Sequence, residues 1–151
     1  MTEETIFLDS SVFIAFFVNG IDVFGNLGNF RLVTSTNVIE EVAYILVKES
    51  AKEKTNIEKH YDLLHFLRSS PELVSKISQE VTSDVSVILE AFDIVVFPPA
   101  SFAEMFEVMT SYGLLPNDAL IAATCKHYGI KKIATLDEDF KRVDFLEVVE
   151  V

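Results

Sequence analysis

The amino-acid sequence predicts an α/β fold in which a central, mostly parallel sheet is flanked by helices, giving a three-layer sandwich. Segments with helical periodicity alternate with short apolar runs, as is typical of βαβ units. The apolar runs are continuous, as expected for parallel strands covered on both faces. We predict five strands, at residues 6–8, 31–34, 94–97, 132–136 and 145–149, the last at an edge of the sheet.

Length and composition favour one globular domain over residues 1–151, because half of the residues are hydrophobic and a sizeable core is within reach. No apolar run approaches the roughly 20 residues that cross a bilayer, and the acidic N-terminus lacks the basic segment of a signal peptide. We therefore expect a cytoplasmic protein without a membrane contact. The single cysteine, Cys125, excludes an internal disulfide and is expected to be a buried free thiol.

The charge balance argues against binding of long nucleic acid through a basic face. The chain has 24 acidic and 12 basic residues, a formal net charge of −12 at pH 7. Non-specific affinity for nucleic acid normally comes from phosphate neutralisation by Lys and Arg. An excess of acids is instead consistent with several carboxylates gathered around a divalent cation.

The first strand ends at Asp9, and ligands in open parallel sheets bind just beyond the carboxyl ends of strands. Asp9 is therefore a candidate for a chemical role. The alternative is that its carboxylate caps the helix beginning near Ser10 by accepting hydrogen bonds from the free amides of the first turn. The sequence leaves both roles open. We expect this helix at residues 12–18, followed by a flexible, glycine-rich loop at residues 19–29.

The second strand leads into a helix that continues to about residue 50, and two adjacent glutamates near its start differ in predicted environment. Ser35, Thr36 and Asn37 all offer N-cap oxygens, and Asn37 and Glu40 have the spacing of a capping box, which gives Glu40 a structural role. Glu41 instead lies in the sector of the buried stripe. A carboxylate there costs several kcal/mol unless it is paired or binds a cation, and no basic residue follows at three or four positions. Glu41 is therefore a predicted metal ligand.

Two amphipathic helices, residues 57–68 and 73–92, are predicted for the middle of the chain, and residues 82–84 are a candidate break in the second. No chemistry is predicted for residues 55–92, which we interpret as scaffold or partner surface. Beyond the third strand, Ser101 and Glu104 have capping-box spacing and begin another helix. The predicted buried face of that helix consists of Phe102, Met105, Phe106 and Met109.

The last third of the chain contains two more acids at element ends. Asp118 lies in the first turn of a helix, on the face shared with the apolar residues that follow, so we expect it at the rim of the core. The alternative is that Asp118 only complements the helix dipole, which stabilises a helix by a few tenths to about 1 kcal/mol. The fourth strand is followed by Asp137, so that again an acid closes a strand.

In right-handed βαβ units the strand ends and helix starts meet at one edge of the sheet. We therefore expect four carboxylates, Asp9, Glu41, Asp118 and Asp137, to converge on one cleft. Two carboxylates about 4 Å apart repel by roughly 4 kcal/mol at an effective dielectric constant of 20, so four require shared protons or a bound cation. Because no cysteine or suitably spaced histidine accompanies them, the predicted ion is Mg²⁺ or Mn²⁺.

These residues resemble the PIN domain family, in the branch that contains VapC-type toxins. Four segments in the family's order carry the resemblance, over the first and last thirds of the chain. They are the strand ending in Asp9 with Ser11 two residues on, Thr34 and Ser35 leading to Glu41, PNDA at residues 116–119, and TLDEDF at residues 135–140.

The resemblance implies a Mg²⁺- or Mn²⁺-dependent endoribonuclease that cleaves single-stranded RNA through the acidic quartet of Asp9, Glu41, Asp118 and Asp137. It implies an auxiliary role for Asp139, and for Ser11 and Thr135 as hydroxyls that position ligands or substrate. Members of the family are commonly homodimers. The toxins are inhibited by a small antitoxin protein, which makes such a protein a candidate partner.

Other functional classes remain open at this stage. One is a PIN-like module that binds metal or a partner without cleavage, within a larger RNA-processing complex. Another is a magnesium-dependent phosphohydrolase of a different α/β fold, but that class expects a second aspartate two residues after the first, where this chain has Ser11. A phosphate-binding NTPase is disfavoured because none of the five glycines forms a phosphate-binding loop with Lys and Ser or Thr.

Overall fold

A computed structural model describes residues 3–151, and its five strands form one sheet in the order β3-β2-β1-β4-β5. Every neighbouring pair of strands is parallel, so the predicted fold class is confirmed. The strands are β1 (Thr5–Leu8), β2 (Arg31–Ser35), β3 (Val95–Phe97), β4 (Lys132–Ala134) and β5 (Glu147–Val149).

Strand β1 is the centre of the sheet. Phe7 pairs with Val33 of β2 on one side and with Ile133 of β4 on the other. Ile6, Phe7 and Leu8 are completely buried, which explains why this run is apolar at every position.

The helices are α1 (Ser10–Asn19), α2 (Val23–Asn26), α3 (Thr36–Thr55), α4 (His60–Arg68), α5 (Pro71–Ala91), α6 (Phe102–Tyr112) and α7 (Pro116–His127), with a 3₁₀ helix at Glu138–Arg142. Right-handed connections from β1 through β2 to β3 place α1, α3 and α5 on one face of the sheet. The connection from β3 to β4 runs in the opposite direction and places α6 and α7 on the other face. In agreement, α3 contacts α1, α4 and α5, whereas α6 contacts α7.

The strand order creates a switch point between β1 and β4. The chain leaves β1 toward β2 on one side, and β4 lies on the other side. Ligands in open parallel sheets bind at the carboxyl ends of strands at such a point. Asp9 follows β1 there, and Asp137 follows β4 at a distance of three residues.

Three details of the sequence prediction are wrong in the first two thirds of the chain. The glycine-rich loop contains α2, whose Phe24 is buried. Helix α5 is continuous, because Val81 and Val85 keep its buried stripe; the Thr82 hydroxyl donates its hydrogen bond within the helix, to the Ser78 carbonyl at 2.7 Å. Helix α3 begins after Ser35, two residues earlier than the proposed Asn37 cap, so Asn37 and Glu40 form no capping box.

Helix α6 shows a fourth difference. Its Ser101–Glu104 capping box is present as predicted, but Phe102 and Phe106 are 73% and 53% exposed. The buried face runs instead through Val108, with Met105, Met109 and Tyr112 partly buried beside it. The two phenylalanines are four residues apart and so share the face next to this one.

Cys125 is a buried free thiol as predicted, and burial raises its pKa. Among residues 3–151, no helix has both the length and the apolarity to span a membrane.

The burial of Phe24 generates a test of the packing. Its ring centroid lies 5.3 Å from that of Phe13, 5.0 Å from Phe16 and 5.2 Å from Phe92, and so it connects α1 and α2 to the end of α5. We expect Phe24→Ala to lower the free energy of unfolding by about 3–5 kcal/mol, because it leaves a cavity. Exposed Phe102→Ala is the matched control and should change it by no more than about 0.5 kcal/mol. Urea denaturation of both variants measures the difference, and equal losses would contradict the described packing.

Candidate active site

Asp9 is a buried carboxylate, 4% exposed, at the junction of β1 and α1. Its Oδ1 accepts a hydrogen bond from the Ser10 amide at 2.8 Å, so the capping role considered for it is present. Its Oδ2 accepts hydrogen bonds from the hydroxyls of Ser11 at 3.0 Å and Thr135 at 2.7 Å. Asp9 therefore caps α1 and also connects the end of β1 to the segment after β4.

The two hydroxyls continue this connection toward the next acid. Ser11 Oγ accepts a hydrogen bond from the Leu136 amide at 3.0 Å, and Thr135 Oγ1 accepts one from the Asp137 amide at 3.0 Å. Each hydroxyl thus donates to Asp9 and accepts from the backbone of the segment that carries Asp137. Ser11 and Thr135 therefore fix the position of one acid relative to the other.

Three half-buried aspartates, Asp118, Asp137 and Asp139, form what we call the carboxylate cluster. One carboxylate oxygen of each lies within 4.8 Å of the others. Asp118 comes from the first turn of α7, which Pro116 begins. Asp137 caps the 3₁₀ helix by accepting a hydrogen bond from the Asp139 amide at 2.9 Å. The cluster thus joins the start of a helix to the end of a strand, as the topology predicts.

The electrostatics of Asp118 show how close the acids are to one another. Its pKa is raised from 3.8 to about 6, first by burial and then by the negative charges of Asp137, Asp9, Asp139 and Glu41. A helix N-terminus acts in the opposite direction, since it favours a negative charge. Burial and repulsion therefore outweigh the helix dipole at this position.

Glu41 is half-buried on α3 and Glu40 is exposed, as the helical phase predicts. The Asn117 side-chain amide donates a hydrogen bond to Glu41 Oε2 at 2.9 Å and so connects α3 to the first turn of α7. Of the five acids considered from the sequence, the structure brings Asp118, Asp137 and Asp139 together most closely. The negative charges of Asp9 and Glu41 also act on Asp118, so both acids lie near this cluster.

Two further residues of this region were not singled out from the sequence. Asn117 belongs to the PNDA segment, and a side-chain amide just before Asp118 at a helix start is the available sequence signal for its contact. Arg142 Nη2 lies 3.1 Å from Asp139 Oδ1, and their spacing of three residues was the available signal.

The chemistry of the donor set fits a hard divalent cation. The cluster supplies carboxylate oxygens from three residues, which is the ligand type that Mg²⁺ and Mn²⁺ prefer. In the described part of the chain, the one ion pair made by the cluster is that of Asp139 with Arg142. The cluster thus keeps a negative charge that a cation or protons could compensate.

Comparisons with known proteins agree with this geometry. The model of the PIN domain family matches residues 6–146. Ribonuclease VapC2 from Methanocaldococcus jannaschii is 31% identical, over 100% of this chain and 97% of its own length. Ribonuclease VapC6 from the same organism is 31% identical, over 99% of both chains.

Solved structures share the fold at lower identity. One is VapBC2 from Rickettsia felis, bound to a DNA fragment from its promoter, with a TM-score of 0.64, 16% identity and coverage of 97% of this chain and 98% of that chain. Another is PAE2754 from Pyrobaculum aerophilum, with a TM-score of 0.58, 17% identity and coverage of 98% and 91%. With the family match along nearly all of its length, and with full-length relatives of the VapC type, this chain belongs to the PIN domain family.

Proposed function

We propose that this protein is a metal-dependent endoribonuclease that cleaves single-stranded RNA. The observation that carries the proposal is the carboxylate cluster at the switch point of the sheet, with Asp9 and Glu41 near enough for their charges to act on Asp118. The full-length relatives named ribonuclease VapC2 and VapC6 support the reaction class. We further propose that residues 1–151 act as one PIN domain.

In this proposal Asp9, Glu41, Asp118 and Asp137 hold Mg²⁺ or Mn²⁺. When bound, the cation supplies positive charge that lowers the pKa of an attacking water and stabilises the charge that develops on a phosphodiester. Ser11 and Thr135 hold Asp9 and the Asp137 backbone in place through the hydrogen bonds described above. Asn117 orients Glu41, and Asp139 adds negative charge beside Asp118.

We also propose a biological setting for the nuclease. The VapC names of the relatives support a role as the toxin of a toxin–antitoxin pair, with a small antitoxin protein as partner. A homodimer in the cytoplasm belongs to the same proposal. The acidic net charge of −12 is compatible with it, because RNA would be held at the site through cations more than through a basic face.

Substitution of Asp118 tests the proposal most simply. We expect Asp118→Asn to make the metal-free protein slightly more stable, because a repelled charge is removed. The same change should reduce the stabilisation by Mn²⁺ and lower cleavage of single-stranded RNA by orders of magnitude. The measurements are melting temperatures with Mn²⁺ and with chelator, beside an RNA cleavage assay.

Asp62→Asn is the matched control, because Asp62 is an exposed acid in the first turn of α4, away from the cluster. Asp62→Asn should lower the free energy of unfolding by only a few tenths of a kcal/mol, the small helix-dipole contribution, both with Mn²⁺ and with chelator. Undiminished cleavage by Asp118→Asn would refute the proposed ligand set. Metal-dependent melting without cleavage by the wild type would favour a non-catalytic PIN module.

The two adjacent glutamates of α3 give a second test. Glu41→Gln should reduce both Mn²⁺ stabilisation and cleavage with little loss of fold, since the amide oxygen of Gln can still accept the bond from Asn117. Glu40→Gln is the matched control and should change the free energy of unfolding by no more than about 0.5 kcal/mol, because Glu40 is exposed and caps nothing. Thermal shift with Mn²⁺ and the cleavage assay distinguish them. If Glu40→Gln proves the inactive variant, the assignment of Glu41 fails.

The raised pKa of Asp118 predicts two pH dependences. Because the pKa is about 6 in the folded protein and 3.8 for an ordinary Asp, the folded state holds this proton more tightly. The group's stabilising contribution to the metal-free protein is therefore complete below about pH 4 and is lost as the pH rises through about 6. Since protons compete with cations, Mn²⁺ stabilisation should grow over the same interval. Urea titrations of the metal-free proteins from pH 4 to 7.5 should show the free energy of unfolding declining more steeply with pH for wild type than for Asp118→Asn. Identical slopes would contradict the raised pKa of Asp118.

A further inference from the structure

Arg142 connects the two segments that carry the carboxylate cluster. It ends the 3₁₀ helix, and its Nη2 lies 3.1 Å from Oδ1 of Asp139. Its Nη1 donates a hydrogen bond to the Gly113 carbonyl at 3.1 Å. Gly113 ends α6 in the left-handed conformation, with a φ of 68°, and only two residues separate it from α7 and its Asp118. One guanidinium therefore holds the segment of Asp139 against the loop that leads to Asp118.

The neighbouring carboxylates make the ion pair of Arg142 with Asp139 more important than its exposure suggests. Arg142 is 53% exposed at its side chain, and an ordinary exposed ion pair contributes little to stability. Asp139, however, lies within 4.8 Å of two other carboxylates, so its charge is repelled unless a cation compensates it. Its backbone amide also donates to Asp137 Oδ1 at 2.9 Å. The position of Asp139 is therefore coupled to the other acids by charge and by a hydrogen bond.

We propose that Arg142 is a positioning residue that compensates Asp139 and thereby limits how tightly the carboxylate cluster binds a divalent cation. The inference rests on the proposed metal site and adds a residue that sets its affinity. With Arg142 in place, the cluster has one charge fewer to attract a cation. Without it, Asp139 becomes an uncompensated neighbour of Asp118 and Asp137, which raises repulsion in the metal-free protein and attraction for the ion.

The neighbouring residue provides a matched control. Lys141 lies in the same 3₁₀ helix, is similarly exposed, and pairs with Glu138 at 2.7 Å and Glu150 at 3.7 Å, neither of which belongs to the cluster. Lys141→Gln and Arg142→Gln make the same change in net charge at adjacent positions. A difference between them reports on the contact with Asp139 and not on overall charge.

The experiment measures Mn²⁺ binding to the full chain by calorimetry without RNA, together with melting in chelator. We expect Arg142→Gln to lower the apparent Kd for Mn²⁺ by about fivefold and to lower the melting temperature of the metal-free protein. Arg142→Lys, which keeps the charge, should restore a Kd within about twofold of wild type, and Lys141→Gln should leave it within the same range. A purely structural role would not produce tighter binding from a less stable protein.

The outcomes separate this inference from the function on which it rests. If wild type binds Mn²⁺ and Arg142→Gln binds it equally or more weakly, the inference is overturned and the metal site stands. An equal gain in affinity from Lys141→Gln would also overturn it, because overall charge would then be the cause. If wild type binds no Mn²⁺, the proposed metal site fails and the inference fails with it.

Discussion

The buried carboxylate of Asp9 is the interaction on which the geometry of this site depends. A buried charge without hydrogen-bonding partners is costly, and Asp9 obtains its partners from Ser10, Ser11 and Thr135. Thr135 follows β4, which lies beside β1 at the switch point of the sheet. Satisfying this one charge therefore fixes the end of β4 against the start of α1. The hydroxyls of Ser11 and Thr135 also accept hydrogen bonds from the amides of Leu136 and Asp137, so the contacts of Asp9 also fix the segment that carries Asp137.

The acids of the carboxylate cluster are close enough to repel one another. The pKa of Asp118 is raised by burial and by four neighbouring carboxylates, which means that the metal-free fold loses stability by holding this group ionised. A carboxylate whose pKa is raised by burial and by neighbouring charges, as at Asp118, is typical of functional sites. Part of the stability given by the buried residues Ile6, Phe7 and Leu8 of the central strand offsets the cost of the cluster. A bound cation would relieve the repulsion among these carboxylates, and that relief would add to the free energy of cation binding.

Much of this arrangement could be predicted from the sequence because its signals are local. A continuous apolar run that ends in an acid marks Asp9, and helical phase separates Glu41 from Glu40. Contacts between distant segments left no comparable signal: the Asn117–Glu41 bond joins residues 76 positions apart. On α6, Met105 and Met109 pack against the core as predicted, but Phe102 and Phe106 were wrongly assigned to the buried face because phenylalanine is normally buried; Val108 is buried instead. The cap of α3 was misplaced because Ser35, Thr36 and Asn37 all carry side chains suited to an N-cap.

We propose that the switch-point acids form one site for a divalent cation. This proposal is tested by locating the ion in crystals grown with Mn²⁺, from diffraction data recorded close to the manganese absorption edge. We expect an anomalous peak within coordination distance of carboxylate oxygens of both Asp118 and Asp137. Well-ordered carboxylates with no peak between them, or a manganese peak at a different group of residues, would contradict the proposal.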